Sequence, residues 1–252
     1  MALLEIRGLT KIFGGLTAVN ELDFDVSQGE LLGLIGPNGA GKTTLFNLIS
    51  GVLKPTRGKV LYKGKDITGL KTNRIASLGV VRTFQATSIF PEMTVFDNVV
   101  VAHHLQAKVG LMGAIFDSPA ARKDNRDIEQ KTMSILDYMG LSPFKDELAK
   151  NLPHGHLRLL GITLALATNP ELLLLDEPIT GMNPEEVTAV MGRIESLWEK
   201  GITMVVVEHN MKALMELSRR IVVMNFGRKI AEGTPEEIQH NKEVIEAYLG
   251  TE

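Results

Sequence analysis

The chain has no cysteine among its 252 residues. That excludes disulfides and thiolate metal sites, and it suits a reducing compartment. Long hydrophobic runs are missing as well. No apolar stretch approaches the ~20 residues needed to cross a bilayer, and no signal peptide opens the chain. We therefore expect a soluble protein whose membrane role, if it has one, comes through a partner. Neither sign of charge dominates: 27 basic against 30 acidic residues leave a net charge of −3, so nothing argues for a nucleic-acid surface. There is no internal repeat and no low-complexity segment. What is present is an apolar fraction of 44%, enough to bury a core, in a length that suits one α/β domain or a domain with a subdomain.

Two strings carry most of the chemistry. Residues 36–44 read GPNGAGKTT and fit G-x-x-x-x-G-K-[ST] at Gly36, Gly41, Lys42 and Thr43. The glycines let successive backbone N–H groups turn inward toward phosphate oxygens. A helix starting near Lys42 adds the positive end of its dipole. Lys42 can then reach the β- and γ-phosphates, and the Thr43 hydroxyl can ligate Mg²⁺. A chance Gly-rich turn is the bland alternative. The flanking LLGLIG and TTLFNLIS, a buried strand before and a helix after, supply the context that a chance match lacks. The second string, LLLLDEP from Leu172, reads as a central parallel strand. It puts Asp176 at the carboxyl end, where open α/β sheets bind ligands and a carboxylate can hold Mg²⁺. Glu177 follows, able to polarise an attacking water.

Around these strings the pattern divides. Residues 3–7 and 21–27 alternate apolar and polar, 58–62 reads as another strand turning at residues 63–65, and 79–83 as a strand ending in Phe84-Gln85. From Gln85 to Leu152 the pattern is mainly helical, with a helix from Ser118-Pro119 to Gly140 striped by Ile128, Ile135, Leu136 and Met139. Asn183-Pro184-Glu185-Glu186 starts another helix. Residues 202–207 read as a buried strand followed by Glu208-His209. Two further strands flank the turn at residues 225–228, and one last helix is expected from Pro235 to about Leu249.

With both motifs placed, the chain resembles the ATP-binding subunits of ABC transporters along its full length. It is most similar to those of importers for branched-chain, hydrophobic amino acids. RTFQATSIFPEMTVFDNV (82–99), LLLLDEPITGMNP (172–184), VVVEHNM (205–211) and VVMNFGRKIAEGTPEEI (222–238) carry the likeness. The resemblance implies an α/β fold: a P-loop ABC ATPase core with a RecA-like, mainly parallel sheet, an antiparallel β subdomain and an inserted helical subdomain. Core residues would be 1–86 and 161–252, and helical residues 87–160. It implies ATP and Mg²⁺ as cofactors. Gly36, Pro37, Asn38, Gly39, Ala40, Gly41, Lys42, Thr43 and Thr44 would cradle the phosphates. Phe13 would stack on adenine, where Tyr is more usual; a core Phe is the alternative. Thr43, Gln85 and Asp176 would serve the metal, and Glu177, His209 and Gln85 the reaction. His103, His104 and His240 receive no role. Asn183 reads as an N-cap in a loop that the family also uses across its dimer interface.

The family's LSGGQ signature is replaced by Leu152-Pro153-His154-Gly155-His156, followed by LRLLGITLAL where a stretch resembling QRRLEIARAL is expected. Pro153, Gly155 and His156 would meet the nucleotide of the opposing subunit. Leu159 and Leu164 stand in place of arginines, and Gly161 in place of Glu. The apolar helix implies burial against a partner or a cost to stability: Gly161 in a helix interior costs ~1 kcal/mol relative to Ala. Weak sandwiching of nucleotide and slow turnover are therefore expected. The implied partners are membrane permease subunits, a second ATP-binding subunit (same or homologous chain) and, indirectly, a solute-binding protein, with no nucleic acid. The implied place is cytoplasmic, on the inner face of the cell membrane through the permease. Two alternatives stand beside transport: a subunit that binds ATP but turns over poorly, and a non-transport ABC ATPase acting on DNA or ribosomes. The latter usually carries coiled coils, tandem cassettes or basic arms, none of which is visible here.

Overall fold

The computed structural model describes residues 2–83, 89–104 and 119–249. They fall into two compact units. One comprises Met1–Arg82, Glu171–Thr180 and Met191–Glu252; the other comprises Thr83–Pro170 and Gly181–Val190.

The first unit opens with an antiparallel hairpin, β1 (Ala2–Phe13) and β2 (Leu16–Ser27). Both strands run longer than their alternation predicts. Gly8 lies at φ 54° and the register shifts between Ile6 and Leu9. Beyond that bulge Leu9 and Thr10 are both buried, so the period-two pattern breaks while the strand continues. Strand β4 (Arg57–Tyr62) pairs with the other edge of β1, and β5 (Lys65–Asp66) completes a four-stranded antiparallel sheet.

The second sheet contains β3 (Leu31–Ile35), β6 (Val80–Arg82), β7 (Leu172–Asp176), β8 (Thr203–Val207), β9 (Arg220–Asn225) and β10 (Arg228–Gly233). Its order is β10-β9-β3-β8-β7-β6, parallel except for β10. Every residue of β3, β7 and β8 is buried, the reason these strands read as continuous apolar runs. The order matters for function. Strands β3, β8 and β7 are neighbours and parallel, so the segments leaving their carboxyl ends, at residues 36, 208 and 177, lie side by side on one edge. Helix α1 (Lys42–Ile49) follows β3, and α2 (Thr72–Ser77) precedes β6.

The second unit is helical: α3 (Val95–His104), α4 (Pro119–Met139) and α5 (His154–Ala167), with short 3-10 turns at Ser142–Phe144 and Ala149–Asn151. Helix α5 packs against α3 and α4. Leu159, Leu160 and Ile162 are buried, so part of the apolar helix is covered by its own chain. The expected boundary at residue 160 falls inside α5. The compact unit that holds α5 runs on to Pro170.

Helix α6 (Pro184–Glu199) follows the pattern, and a short helix that the pattern did not offer, α7 (Met211–Leu217), stands between β8 and β9. The single last helix does not form. It is two helices, α8 (Pro235–Gln239) and α9 (Lys242–Leu249). A capping box at Thr234 and Glu237 starts the first, and the Asn241 side chain accepts from the Val244 N–H to start the second. Asn241 captures an orphan donor locally, which competes with continuing one helix.

Candidate active site

Two glycines shape the loop after β3. A Cβ on Gly36 would sit 2.1 Å from the Met224 carbonyl oxygen, and one on Gly41 2.3 Å from that of Ala18. Gly41 is also left-handed, at φ 101°. Side chains at either position would force the loop off its neighbours. Gly41 caps α1 without a side-chain hydrogen bond, and no acid lies in the first turn. The first N–H groups of α1 are therefore left for an anion.

Lys42 is 6% exposed. Its Nζ donates to the carbonyls of Gly36 (2.6 Å) and Pro37 (3.0 Å). Burial holds its pKa below the usual lysine value, while the nearby Glu177 and Asp176 carboxylates pull it back up. A cavity of about 400 Å³ opens over this loop. It is lined by residues 38–44, by Phe13, Leu16 and Phe226, and by Glu177 and His209. Phe13 is 44% exposed there, with Lys11 Nζ 4.9 Å from its ring centroid. It is not a core residue.

Glu177 follows β7 in the left-handed region, φ 49°, an unfavourable place for a residue with a Cβ and a frequent mark of a functional site. Its N–H is held by the Val207 carbonyl at 2.9 Å. One carboxylate oxygen is 2.9 Å from His209 Nε2, and the other accepts from the Thr180 hydroxyl at 3.3 Å. Beneath the pair lies Glu208, 2% exposed. It accepts from the Ile179 N–H (2.8 Å) and the His209 N–H (3.1 Å), and so fastens the segment after β7 to the segment after β8. Burial pushes its pKa up, and these backbone donors oppose the shift. Sequence reasoning passed over Glu208; an acid at the end of an all-apolar strand was the available signal.

Asp176 is buried, and Arg82 Nη2 lies 2.5 Å from its Oδ2. Among the described residues no group of three or more His, Asp or Glu is placed to hold a metal by itself. Gln85 lies outside the described residues.

The signature positions are engaged within the chain. Pro153 is the N-cap of α5. The Gly155 N–H donates to Glu186 Oε1 at 3.3 Å, and a Cβ on Gly155 would meet that oxygen at 2.8 Å. His156 rests on the Phe144 ring, centroids 4.4 Å apart. The Gly155 N–H and the His156 ring thus each have an intramolecular contact. Asn183 does cap α6, accepting from the Glu185 and Glu186 N–H groups at 3.0 Å, and Glu186 Oε2 accepts from the Asn183 N–H at 3.1 Å.

Comparisons with known proteins agree with this geometry. A family model described as ABC transporter matches residues 19–180, and one described as Branched-chain amino acid ATP-binding cassette transporter matches residues 228–252. The chain is 43% identical to the high-affinity branched-chain amino acid transport ATP-binding protein LivG of Salmonella typhimurium, covering 98% of both. It is 41% identical to BraF of Pseudomonas aeruginosa, of similar description, again over 98% of each. A crystal structure of a nucleotide-free ATP-binding cassette from an ABC transporter superposes with TM-score 0.87 at 32% identity, covering 100% of both chains. A cassette in its ADP conformation matches with the same score at 31% identity, also over 100% of each. The parallel sheet, the phosphate loop with its open helix terminus, and these full-length similarities lead to one conclusion: the chain belongs to the ABC transporter family, as one of its ATP-binding, ATP-hydrolysing cassettes.

Proposed function

We propose that this chain hydrolyses Mg-ATP to drive an importer for branched-chain amino acids. The observation that carries the reading is the single cavity joining the phosphate loop to Glu177 and His209. The substrate class rests on the similarity to LivG and BraF and on the match over residues 228–252. No helix among the described residues is long and apolar enough to cross a membrane. Permease subunits would supply the translocation path, with this chain on the inner membrane face and a second ATP-binding subunit completing each site. A solute-binding protein would act indirectly.

The residues divide the work by position. Phe13 would stack on the adenine. The N–H groups of residues 38–44 and the start of α1 would hold the phosphates, and Lys42 would move from the Gly36 and Pro37 carbonyls to phosphate oxygens. The Thr43 hydroxyl and the Asp176 carboxylate are hard oxygen donors of the kind Mg²⁺ takes, and with too few acids for a protein cage among the described residues the rest of the shell would come from phosphate and water. Magnesium would supply charge neutralisation at the β- and γ-phosphates. Glu177 would polarise the water attacking the γ-phosphorus in line, and His209 would leave Glu177 to hold the γ-phosphate. Gln85 would join the metal and water, and Pro153, Gly155 and His156 would face the nucleotide of the opposing subunit. Measured ATP turnover of Glu177→Gln, with branched-chain amino acid uptake into vesicles carrying the permease, tests the reading. Turnover or uptake unaffected by the substitution would refute it.

A further inference from the structure

Arg82 ends β6, beside β7, with Arg82 in register with Leu174. The resemblance assigned it no role. Its side chain is 10% exposed and that of Asp176 3%. Nη2 lies 2.5 Å from Asp176 Oδ2, and Nη1 donates to Asn47 Oδ1 at 2.6 Å. The guanidinium lies over the Phe46 ring, 5.7 Å from its centroid. Asn47 is on α1, four residues after Thr43, so the two share a helix face. One guanidinium thus ties the strand that ends in Asp176 to the helix that carries Thr43 in its first turn.

We propose that Arg82 is a positioning residue that holds Thr43 and Asp176 in register as magnesium ligands. The proposal rests on the reading of those two residues given above. Burying two charges is costly and is repaid only by good geometry and further hydrogen bonds. Here the planar fork spends one nitrogen on each element, while its Nε stays buried without a hydrogen-bond partner among the described residues. A surface arginine would not be held this way. With Oδ2 committed to Arg82, the carboxylate loses rotational freedom before any metal arrives. Lysine carries the same charge but has no rigid fork to span both partners, so Arg82→Lys separates geometry from charge.

The test measures binding of a fluorescent ATP analogue to the intact chain, first in EDTA and then across a Mg²⁺ titration, with thermal melts alongside. Arg82→Lys is expected to leave the metal-free affinity within about twofold and to raise the Mg²⁺ half-saturation about tenfold, the usual effect of losing an outer partner of a metal ligand. Asn47→Ala, which removes one arm and keeps the Arg82–Asp176 pair, is expected to raise it about fivefold. It decides the matter alone if Arg82→Lys does not fold. Lower melting temperatures with unchanged Mg²⁺ half-saturation would make Arg82 merely structural and overturn the inference. A wild-type affinity with no Mg²⁺ dependence would instead sink the metal reading of Thr43 and Asp176, and this inference with it.

Discussion

Glu186→Gln should strengthen the ATP-bound dimer while weakening the monomer. Glu186 joins two helix starts: Oε1 accepts from Gly155 at the start of α5, and Oε2 from Asn183 at the start of α6. Glutamine has one accepting oxygen and an NH2 that cannot accept, so with the oxygen kept on the Asn183 N–H the capping box persists and the Gly155 N–H loses its acceptor. Losing that hydrogen bond costs about 1 kcal/mol. Glu186 is only half-buried and its bond to Gly155 is long, so solvent screening reduces this to ~0.5 kcal/mol. Losing an anion at the α5 N-terminus adds ~0.3 kcal/mol. The monomer should lose ~0.8 kcal/mol, about 2 °C in melting temperature. If the Gly155 N–H must leave Glu186 to meet the opposing γ-phosphate, that loss falls on the open state alone. A dimer of two such chains then gains ~1.6 kcal/mol, about 15-fold in association constant. Sedimentation equilibrium with Mg-ATP, in a Glu177→Gln background that prevents turnover, measures it. An association constant that is unchanged or lower in a folded variant would refute the reasoning.

Two further outcomes follow from the site. Phe13→Ala should raise the ATP dissociation constant about tenfold, since base–aromatic stacking is worth ~1–3 kcal/mol, and Phe13→Trp should keep it; equilibrium binding checks both, and an alanine variant of unchanged affinity would remove Phe13 from the site. Glu208 gives a pH dependence. Its folded pKa is raised, so the folded state binds the proton more tightly, and stability from this group grows as pH falls toward the unfolded carboxyl value. The melting temperature of the wild type minus that of Glu208→Gln should therefore rise between neutral pH and about pH 5, and a flat difference would contradict the burial effect.

Local chemistry was legible in the sequence, and long-range pairing was not. The phosphate loop and Asp176-Glu177 stood out because continuous apolar strands precede them and burial on both faces requires such runs. Neighbouring placement of residues 36, 177 and 208 needed the strand order, which no local pattern encodes. Residues 8–13 and 16–20 escaped the reading of β1 and β2 because a bulge at Gly8 moves the alternation out of phase. The helix break at residues 240–241 was missed because both halves continue the same kind of polar and apolar pattern, and the Asn241 cap was the overlooked sign. Phe13 could not be separated from a core aromatic until its exposure was known. Glu186 meets Gly155 across 31 residues, and Arg82 meets Asp176 across 94. Such contacts follow from packing, and charged residues near a motif do not announce their partners.

The measurement that bears most directly on the central claim compares ATP binding and phosphate release in the wild type and in Glu177→Gln with saturating Mg²⁺. Glu177 faces the cavity over the phosphate loop and pairs with His209 at 2.9 Å, and its amide counterpart cannot accept a proton. We expect ATP affinity to be retained and steady-state phosphate release to fall by at least about 100-fold, the scale of a positioned general base. Phosphate release at the wild-type rate from a folded, ATP-binding Glu177→Gln chain would contradict the account.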